Sequence, residues 1–339
     1  MKFKLIILIL TLNITFTNEV IGAKIKQTEF SIKPEIVFDS NIFENSDNVK
    51  ASENKQIWLS LNRKIQSGSN LSKIFWTANY SHYHNLREEN KFFTNINLFD
   101  LRPFSNSIFL SSSGNFFWKY WNNIYHGYYN VNLTENIGIK TGRFTSQVGY
   151  IYKAANFIEY DNFDNFSNGL NLSIFYNLDR HKSFHCKLLF YKSKFPRSYY
   201  DNKLRSDNTT SLKIGGEYKK KVIAGINLSL SLQNSNIDYF EFFNTSLHCY
   251  GSLKISKLYV QLILYYQLKK YLNNFHNGDI VYNPDPEQNI QNQIFLGLEY
   301  PVTKAFSINS KAAFIKSETS HITQYYTKQI FVLGVQYKF

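Results

Sequence analysis

The segment Phe331-Val332-Leu333-Gly334-Val335-Gln336-Tyr337-Lys338-Phe339 has an apolar or aromatic residue at every second position. The positions between them include Gly334, Gln336 and Lys338. Successive residues of a β-strand point to opposite faces, so the segment predicts a strand with one apolar and one polar face. Chain ends in water usually fray, whereas a strand in lipid must pair and keep one face against hydrocarbon. The segment therefore indicates a sheet that lies in a membrane.

The same alternation recurs along the chain. Residues Ile226–Gln233 divide into an Ile/Leu face and a small-polar face, and Leu258–Leu268 repeats the pattern. Sixteen such segments fit into residues 24–339, at about 20 residues per strand and connection, as membrane strands of about 9 to 11 residues plus turns require. We predict an all-β fold, a transmembrane antiparallel up-and-down β-barrel of sixteen strands, with fourteen strands as the alternative.

Three local features of this barrel are predicted. Pro34 is in phase with the apolar side of the first strand and predicts a bulge or a local distortion there, because proline removes a donor from the ladder. The polar and glycine residues Asn136-Ile137-Gly138 predict the turn after the sixth strand. A long loop is expected from Pro196 to Thr210, before the tenth strand.

Connection lengths predict the orientation of the barrel. Bacterial outer-membrane barrels have short periplasmic turns and longer extracellular loops. The long connections, near residues 39–55, 155–167, 196–210 and 270–290, all follow odd-numbered strands, and the short ones lie near residues 179, 222, 256 and 302. We therefore expect an integral protein of the bacterial outer membrane with both termini in the periplasm.

Residues 1–23 predict a secretory signal peptide. Lys2 and Lys4 precede an apolar run, Leu5–Leu10, and small residues occupy positions 22 and 23. The run is too short to cross a bilayer as a helix. The barrel is expected to occupy residues 24–339, where no stretch approaches the run of about 20 apolar residues that a membrane helix needs.

The last strand also resembles the C-terminal signal by which the outer-membrane barrel assembly machinery recognises its clients. The residues that carry this resemblance are Phe331, Leu333, Val335, Tyr337 and Phe339. The resemblance implies the assembly machinery as a partner. Outer-membrane lipids and lipopolysaccharide are the other expected partners of such a barrel.

The chain is basic, with a formal net charge of +13. A basic protein often binds nucleic acid, but no basic helix, zinc-ligand spacing or aromatic RNA-binding motif is found in the sequence. Nucleic acid is therefore not an expected partner. The charge is better suited to anionic lipid, to surface polysaccharide or to ions in a lumen.

Lysines dominate the face opposite the apolar one. Water fills the interior of a barrel of this size, and lysines along its wall raise the local concentration of anions. The alternative is that several of these lysines lie near strand ends and bind lipid phosphate. The lumen acids are chiefly Glu217 and Glu299. The candidate lysines of the anion path are Lys187, Lys213, Lys219, Lys254, Lys269, Lys311 and Lys328.

The two cysteines, Cys186 and Cys249, each follow a histidine. Alternation predicts that both thiols face lipid while His185 and His248 face the lumen, with the two cysteines at opposite heights in the membrane. A shared metal site or disulfide is therefore not expected. No cofactor and no metal are predicted.

The sequence gives little support for an enzymatic barrel. The one His-x-Ser sequence, His181 to Ser183, falls in a predicted periplasmic turn rather than at the lipid face of the outer leaflet, where a phospholipase needs it. A rim protease needs acidic and histidine pairs at the outer mouth, where the sequence offers His82, His84, His321, Glu88 and Glu89. No enzyme is predicted, because loops collect such residues by chance.

The first hairpin carries a narrower resemblance. Val37-Phe38-Asp39-Ser40-Asn41-Ile42-Phe43 is similar to the aromatic-Asp-Ser-Asn start of the first strand in "beta-barrel porin 2" type porins and in the barrel part of surface lipoprotein assembly modulators. The resemblance implies a porin-like barrel. The sequence shows no helical repeat domain such as the one that precedes the barrel in those modulators, so the porin side of the resemblance is the expectation.

The sequence thus predicts a porin-like outer-membrane channel for the passive passage of small polar or anionic solutes. The alternatives are a barrel for export or surface display of a protein or polysaccharide, and a structural or adhesive barrel with a closed lumen. The solute and the oligomeric state are left open.

Overall fold

Sixteen antiparallel strands form a closed barrel in the computed structural model of the chain. The structure describes residues 25–41, 50–84, 86–122, 127–158, 161–200, 203–272, 292–317 and 326–339. Each strand pairs with its neighbours in sequence, and the first pairs with the last. The strands are β1 Ile25–Asp39, β2 Ser52–Ser67, β3 Asn70–Tyr83, β4 Lys91–Pro103, β5 Ile108–Trp121, β6 Tyr128–Thr141, β7 Phe144–Phe157, β8 Asn165–Asn177, β9 Lys182–Tyr200, β10 Lys203–Lys219, β11 Val222–Ser235, β12 Phe242–Ile255, β13 Leu258–Tyr271, β14 Asn292–Pro301, β15 Phe306–Ser317 and β16 Tyr326–Lys338.

The all-β fold and the count of sixteen strands are confirmed, and the alternative of fourteen strands is wrong. In the described connections, three short 3₁₀ turns, Arg87–Glu89, Asp161–Phe163 and Asp238–Phe240, follow β3, β7 and β11. The predicted signal peptide, residues 1–23, lies outside the described residues. Among the described residues, no helix is long and apolar enough to cross a bilayer.

The closing strand β16 pairs with β1 through the segment that alternates most regularly. Phe331 lies opposite Phe38, and Tyr337 lies opposite Ile32. The ring of Phe339 is 5.7 Å from that of Phe30, and the Phe339 N–H donates a hydrogen bond to the Phe30 carbonyl. The two ends of the sheet are therefore joined both by backbone hydrogen bonds and by aromatic contacts on the apolar face.

The barrel is apolar outside and polar inside. Leu333 on β16 is 61% exposed and Ile36 on β1 is 56% exposed, as are many large apolar side chains around the outer face. Asn171 and Ser31 face inward and are buried. Water would penalise such an outer surface, whereas lipid accommodates it, so this distribution is that of a barrel with lipid around it.

The predicted turn at residues 136–138 is wrong. Strand β6 continues to Thr141, and the chain turns at Gly142, where φ is +58°. Asn136 faces the lumen and accepts a hydrogen bond from Asn171 Nδ2 at 2.7 Å. Gly138 faces the Phe109 ring, and a Cβ at this glycine would lie 2.2 Å from that ring. Asn136 and Gly138 therefore belong to the inner face of β6, although a segment of this composition resembles a turn.

The predicted loop from Pro196 to Thr210 is also wrong. Strand β9 extends to Tyr200 and β10 begins at Lys203, so this part of the chain is a long hairpin with a register shift between Leu204 and Ser206. Several of its polar residues have partners on neighbouring elements: Arg197 pairs with Asp161, and Asp207 accepts hydrogen bonds from Gln233 and Ser235 of β11. Sequence composition suggested a loop because strands near the barrel mouth carry charged side chains.

At Pro34 the structure has no bulge, and of the two predicted features only the local distortion of the ladder is present. Pro34 lies opposite Ile57 in a β1–β2 register that runs without a shift. On the other side, Ile32–Tyr337 and Glu35–Gly334 keep the same register across the proline. Proline's missing N–H therefore interrupts the ladder to β16 locally and leaves the register intact.

Candidate functional site in the barrel lumen

The seven candidate lysines lie on the inner face, and they differ in their partners. Lys187 on β9 and Lys213 on β10 lie directly opposite each other. Their strand neighbours Cys186 and Ile214 point outward and are exposed on the apolar face. Among the described residues, neither lysine forms an ion pair with a carboxylate.

Three of the candidate lysines are held by carboxylates. Lys219 Nζ lies 2.5 Å from Glu217 Oε2, and Lys311 Nζ lies 2.9 Å from Glu35 Oε1. Lys328 Nζ lies 2.9 Å from Asp39 Oδ2, and both of these side chains are nearly buried. These three cations are held in ion pairs within the wall.

The remaining two candidates lie over aromatic rings. Lys254 Nζ is 4.9 Å from the centre of the Tyr259 ring. Lys269 Nζ is 4.0 Å from the Phe242 ring and 4.7 Å from the Tyr271 ring. A ring face attracts a cation without removing its charge, so both lysines stay positive toward the lumen.

Sequence reasoning missed a deeply buried carboxylate of the lumen. Glu35 on β1 has a fully buried side chain, which binds Lys33 Nζ at 2.6 Å as well as Lys311. Gln56 Nε2 donates a third contact at 2.8 Å. Strand alternation alone indicates that Glu35 points inward, since Pro34 and Ile36 point outward. Its partner Lys311, by contrast, is visible only once β1 has closed against β16.

A second missed cluster lies near the tip of the β9–β10 hairpin, at the end of the barrel opposite the termini. Arg205 stacks on the rings of Phe195 and Phe240, at 4.0 Å and 3.5 Å, and its Nη2 lies 2.6 Å from Asp207 Oδ2. Asp207 also accepts a hydrogen bond from Ser235 Oγ at 2.7 Å. The sequence placed Asp207 in an outer loop. The structure buries it because β10 extends through this residue.

Lys153 on β7 is a cation of the wall that sequence reasoning also missed. It lies between Asn132 on β6 and Ser167 on β8, with Nζ 4.0 Å from the Tyr191 ring. No carboxylate among the described residues pairs with it. Lys187 experiences the charge of both Lys153 and Lys213, so the three form one electrostatic group. We call Lys153, Lys187 and Lys213 the free lysines.

The lumen charge is arranged asymmetrically around the barrel. The free lysines occupy β7, β9 and β10, whereas the carboxylates Glu35 and Asp39 occupy β1. In a ring of sixteen strands, β9 lies across the lumen from β1. One wall therefore carries unpaired positive charge, and the facing wall carries negative charge that is held in ion pairs.

The mouth of the barrel at the end opposite the two termini is lined by a packed collar, which consists of Tyr83, Trp121, Tyr128 and Lys119. Tyr128 is 1% exposed, and the other three are also buried. Lys119 Nζ lies 4.1 Å from the Trp121 ring, and Lys91 Nζ lies 4.2 Å from the same ring. The collar reduces the width available at the mouth on the side of β3 to β6.

Both cysteines are on the outer face, where alternation predicted them. Cys186 lies between Ile174 and Ile214, and Cys249 lies between Ile226 and Leu264. The predicted opposite heights are wrong, because Cys186 is near the start of β9 and Cys249 is past the middle of β12, toward Ile255. The described residues contain no group of three or more His, Cys, Asp or Glu that could hold a metal ion.

The residues considered for catalysis do not converge in the part of the chain that the structure describes. His181 lies in the turn between β8 and β9, where its Nδ1 is 2.8 Å from the Lys219 carbonyl oxygen. His82 is on the outward face of β3, opposite Lys55, whereas Glu89 is buried. His321 lies outside the described residues.

No protein-family model matches this sequence, and no curated protein matches it. Solved structures do match its fold. OmpF of Salmonella typhi, solved in complex with daunomycin, is 12% identical over 94% of this chain and 98% of its own, with a TM-score of 0.52. CdiB from Acinetobacter baumannii is 10% identical with a TM-score of 0.48, over 91% of this chain and 60% of its own. OmpT, an outer membrane protein of Vibrio cholerae in a loop-deleted form, is 10% identical over 93% of this chain and 99% of its own, with a TM-score of 0.44.

This chain thus spans 60% of the length of CdiB and almost the full length of OmpF. At these identities the likeness concerns the fold. The chain has the fold of a porin-like outer-membrane β-barrel.

Proposed function

We propose that this barrel is a channel for the passive passage of small polar solutes, with a preference for anions. The observation that carries the proposal is the group of free lysines on β7, β9 and β10. These cations line an interior that is wide enough for water in a barrel of sixteen strands. Their counterions must come from the solution, since the described wall supplies no carboxylate to them.

The expected size of the preference follows from Coulomb's law. One charge in water attracts an anion about 5 Å away by roughly 0.8 kcal/mol, which is about a fourfold enrichment. Three such charges on one wall favour anions over cations several-fold, and added salt weakens the effect. Lys254 and Lys269 add to the same field.

Planar-bilayer recording in a salt gradient tests the proposal. The wild-type barrel should conduct steadily, with a reversal potential on the anion side. The triple substitution K153Q/K187Q/K213Q should move the reversal potential toward zero. The matched control is K220Q/K221Q/K257Q, which removes the same charge from the short turns and should leave most of the preference. A sealed barrel, or an unchanged reversal potential in the first triple variant, contradicts the proposal.

The packed collar favours a second candidate, a barrel with a closed lumen that acts in export, surface display or adhesion. Tyr128, Trp121 and Lys119 fill space at the mouth that an open pore would leave to water. Conductance distinguishes the two candidates. A wild-type barrel that is silent and becomes conductive on W121A supports the closed lumen.

The proposal includes the orientation of the barrel in the outer membrane. We assign the short turns, such as those at Gly68 and Gly142, to the periplasm together with both termini. The tail from Phe331 to Phe339 is assigned to recognition by the assembly machinery. Labelling of a single cysteine introduced at Lys257 in intact cells, in a C186S/C249S background, tests the orientation: this site should react only after the outer membrane is permeabilised.

A further inference from the structure

The outer face of the barrel carries a polar row that crosses four neighbouring strands. Each residue of the row lies directly opposite the next one on the neighbouring strand. The row consists of Ser72 on β3, Asp100 on β4, Ser112 on β5 and Glu135 on β6. Ser72 Oγ is 2.6 Å from Asp100 Oδ1, and Ser112 Oγ donates to Glu135 Oε1 at 2.9 Å. This row points away from the lumen, toward the space that lipid occupies elsewhere on the barrel.

The row begins near the strand ends, at Ser72 on β3 and Asp100 on β4, and reaches the middle of the apolar surface at Glu135 on β6. Glu135 is exposed, halfway along β6, and its neighbours on the same face are Ile137, 56% exposed, and Tyr150, 50% exposed. A charged side chain on the lipid face destabilises a barrel, and the effect is greatest near the middle of the membrane. A carboxylate at this position therefore indicates that something other than hydrocarbon covers it.

Two cations complete the surface. Arg102 pairs with Asp100 at 2.5 Å, next to the row. Arg63 on β2 is exposed on the same face and has no ion pair among the described residues. We call Arg63, Asp100, Arg102, Ser112 and Glu135 the outer polar patch.

The patch is complementary to itself. It carries two positive and two negative side chains, of which Asp100 and Arg102 pair with each other and Arg63 and Glu135 have no charged partner in the described chain. Arg63 and Glu135 stand at its two ends, separated by four strand spacings of about 4.8 Å, or roughly 19 Å. They cannot meet within one barrel, but Arg63 of one barrel can meet Glu135 of another that stands beside it in the same orientation.

The centre of the patch is shaped for close approach. Gly114 lies next to Ser112 on the outer face, between Leu98 and Leu133. The absence of a side chain keeps this part of the surface flat. Lipid phosphate satisfies an arginine but not a carboxylate, so Glu135 argues against lipid as the cover.

We infer that the outer polar patch of strands β2 to β6 is the contact by which this barrel associates side by side with a second copy of itself, through a bond between Arg63 of one copy and Glu135 of the next. The bond between the two side chains, formed away from lipid, offsets the free-energy cost that each charge has on the lipid-facing surface of a single barrel. The inference is independent of whether the lumen conducts.

Charge reversal tests it directly. Purified wild-type protein in nanodiscs or mild detergent should have the mass of an oligomer by light scattering. R63E and E135R should each shift the protein to monomer, because each places like charges together. The double variant R63E/E135R should restore the oligomer, because the pair is rebuilt in reverse. The control K192E changes a charge on the outer face of β9, away from the patch, and should leave the mass unchanged.

Heat-dependent mobility in SDS gels reports whether each variant has a closed barrel, so a failure to fold is not read as dissociation. If a variant does not fold, cross-linking in membranes replaces it. In the C186S/C249S background, co-expressed R63C and E135C copies of different lengths should be joined by a short bismaleimide into a mixed product. A monomeric wild type, a double variant that is not rescued, or a product that contains only lipid or a different protein overturns the inference.

Discussion

Replacing Glu35 by Gln should destabilise the barrel more than any other loss of a single charge in its lumen. The carboxylate is fully buried and receives Lys33 Nζ at 2.6 Å, Lys311 Nζ at 2.9 Å and Gln56 Nε2 at 2.8 Å. Glutamine keeps the shape and removes the charge. Lys33 and Lys311 are then left beside each other without an anion between them.

The magnitude follows from these contacts. Each Lys–Glu pair attracts by about 6 kcal/mol at an effective dielectric constant of 20, but burial of the carboxylate opposes much of this. Breaking a buried pair by removing one partner typically costs about 3 to 5 kcal/mol. The side chains of Lys33 and Lys311 are 18% and 28% exposed, so water screens them in part. We therefore expect about 3 kcal/mol for E35Q.

The matched control is E29Q on the same strand. Glu29 lies 3.7 Å from Lys338, and its side chain is 55% exposed, so its loss should cost less than about 1 kcal/mol. Urea unfolding in detergent–lipid micelles, followed by tryptophan fluorescence, gives both free energies. Equal midpoints and slopes for E35Q and E29Q would refute the reasoning, since the burial of Glu35 would then have no energetic consequence.

Two further predictions concern the tail and a turn. F339A should reduce the amount of folded barrel in the outer membrane of living cells yet leave refolding in detergent largely intact; equal losses in both assays would assign Phe339 to stability alone. Asp179, in the turn after β8, accepts hydrogen bonds from the backbone N–H groups of His181 and Lys182, and these hold its pKa below the usual value. Its contribution to stability should be complete above the unfolded-state pKa and be lost as the pH falls through the lower folded-state pKa, which a carboxyl NMR titration measures. D179N should abolish this dependence on pH.

The two-residue periodicity of apolar side chains predicted most of the fold. The alternation of Ile226–Gln233 and of the last strand predicts both the strand and its lipid-facing side, because the two-residue repeat is a property of the local backbone. Composition failed where inner-face residues resemble turn residues, as at Asn136 and Gly138. It failed again at the β9–β10 hairpin, where Arg205 and Asp207 pair with each other and Arg197 pairs with Asp161.

The sequence predicted much less about which charged residues pair with each other. Glu35 and Lys311 are 276 residues apart, and only the β1–β16 closure brings them together. Sequence alternation placed seven lysines on one face but could not separate the ones held by carboxylates from Lys187 and Lys213. Lys153 was not among the predicted lysines, although the alternation of β7 places it on the inner face. The register between strands determines which charged residues become partners, and this register is known only from the closed sheet.

The contact of Phe339 with Phe30 also has a consequence for the order of events during biogenesis. The first strand made has to wait for the last one before its second edge is paired, so the sheet has no finished form until the whole chain has been exported. Contacts so distant in sequence slow folding and leave an apolar intermediate with open edges. This chain should therefore depend on periplasmic holding chaperones throughout its transit, and a copy truncated before β16 should be degraded.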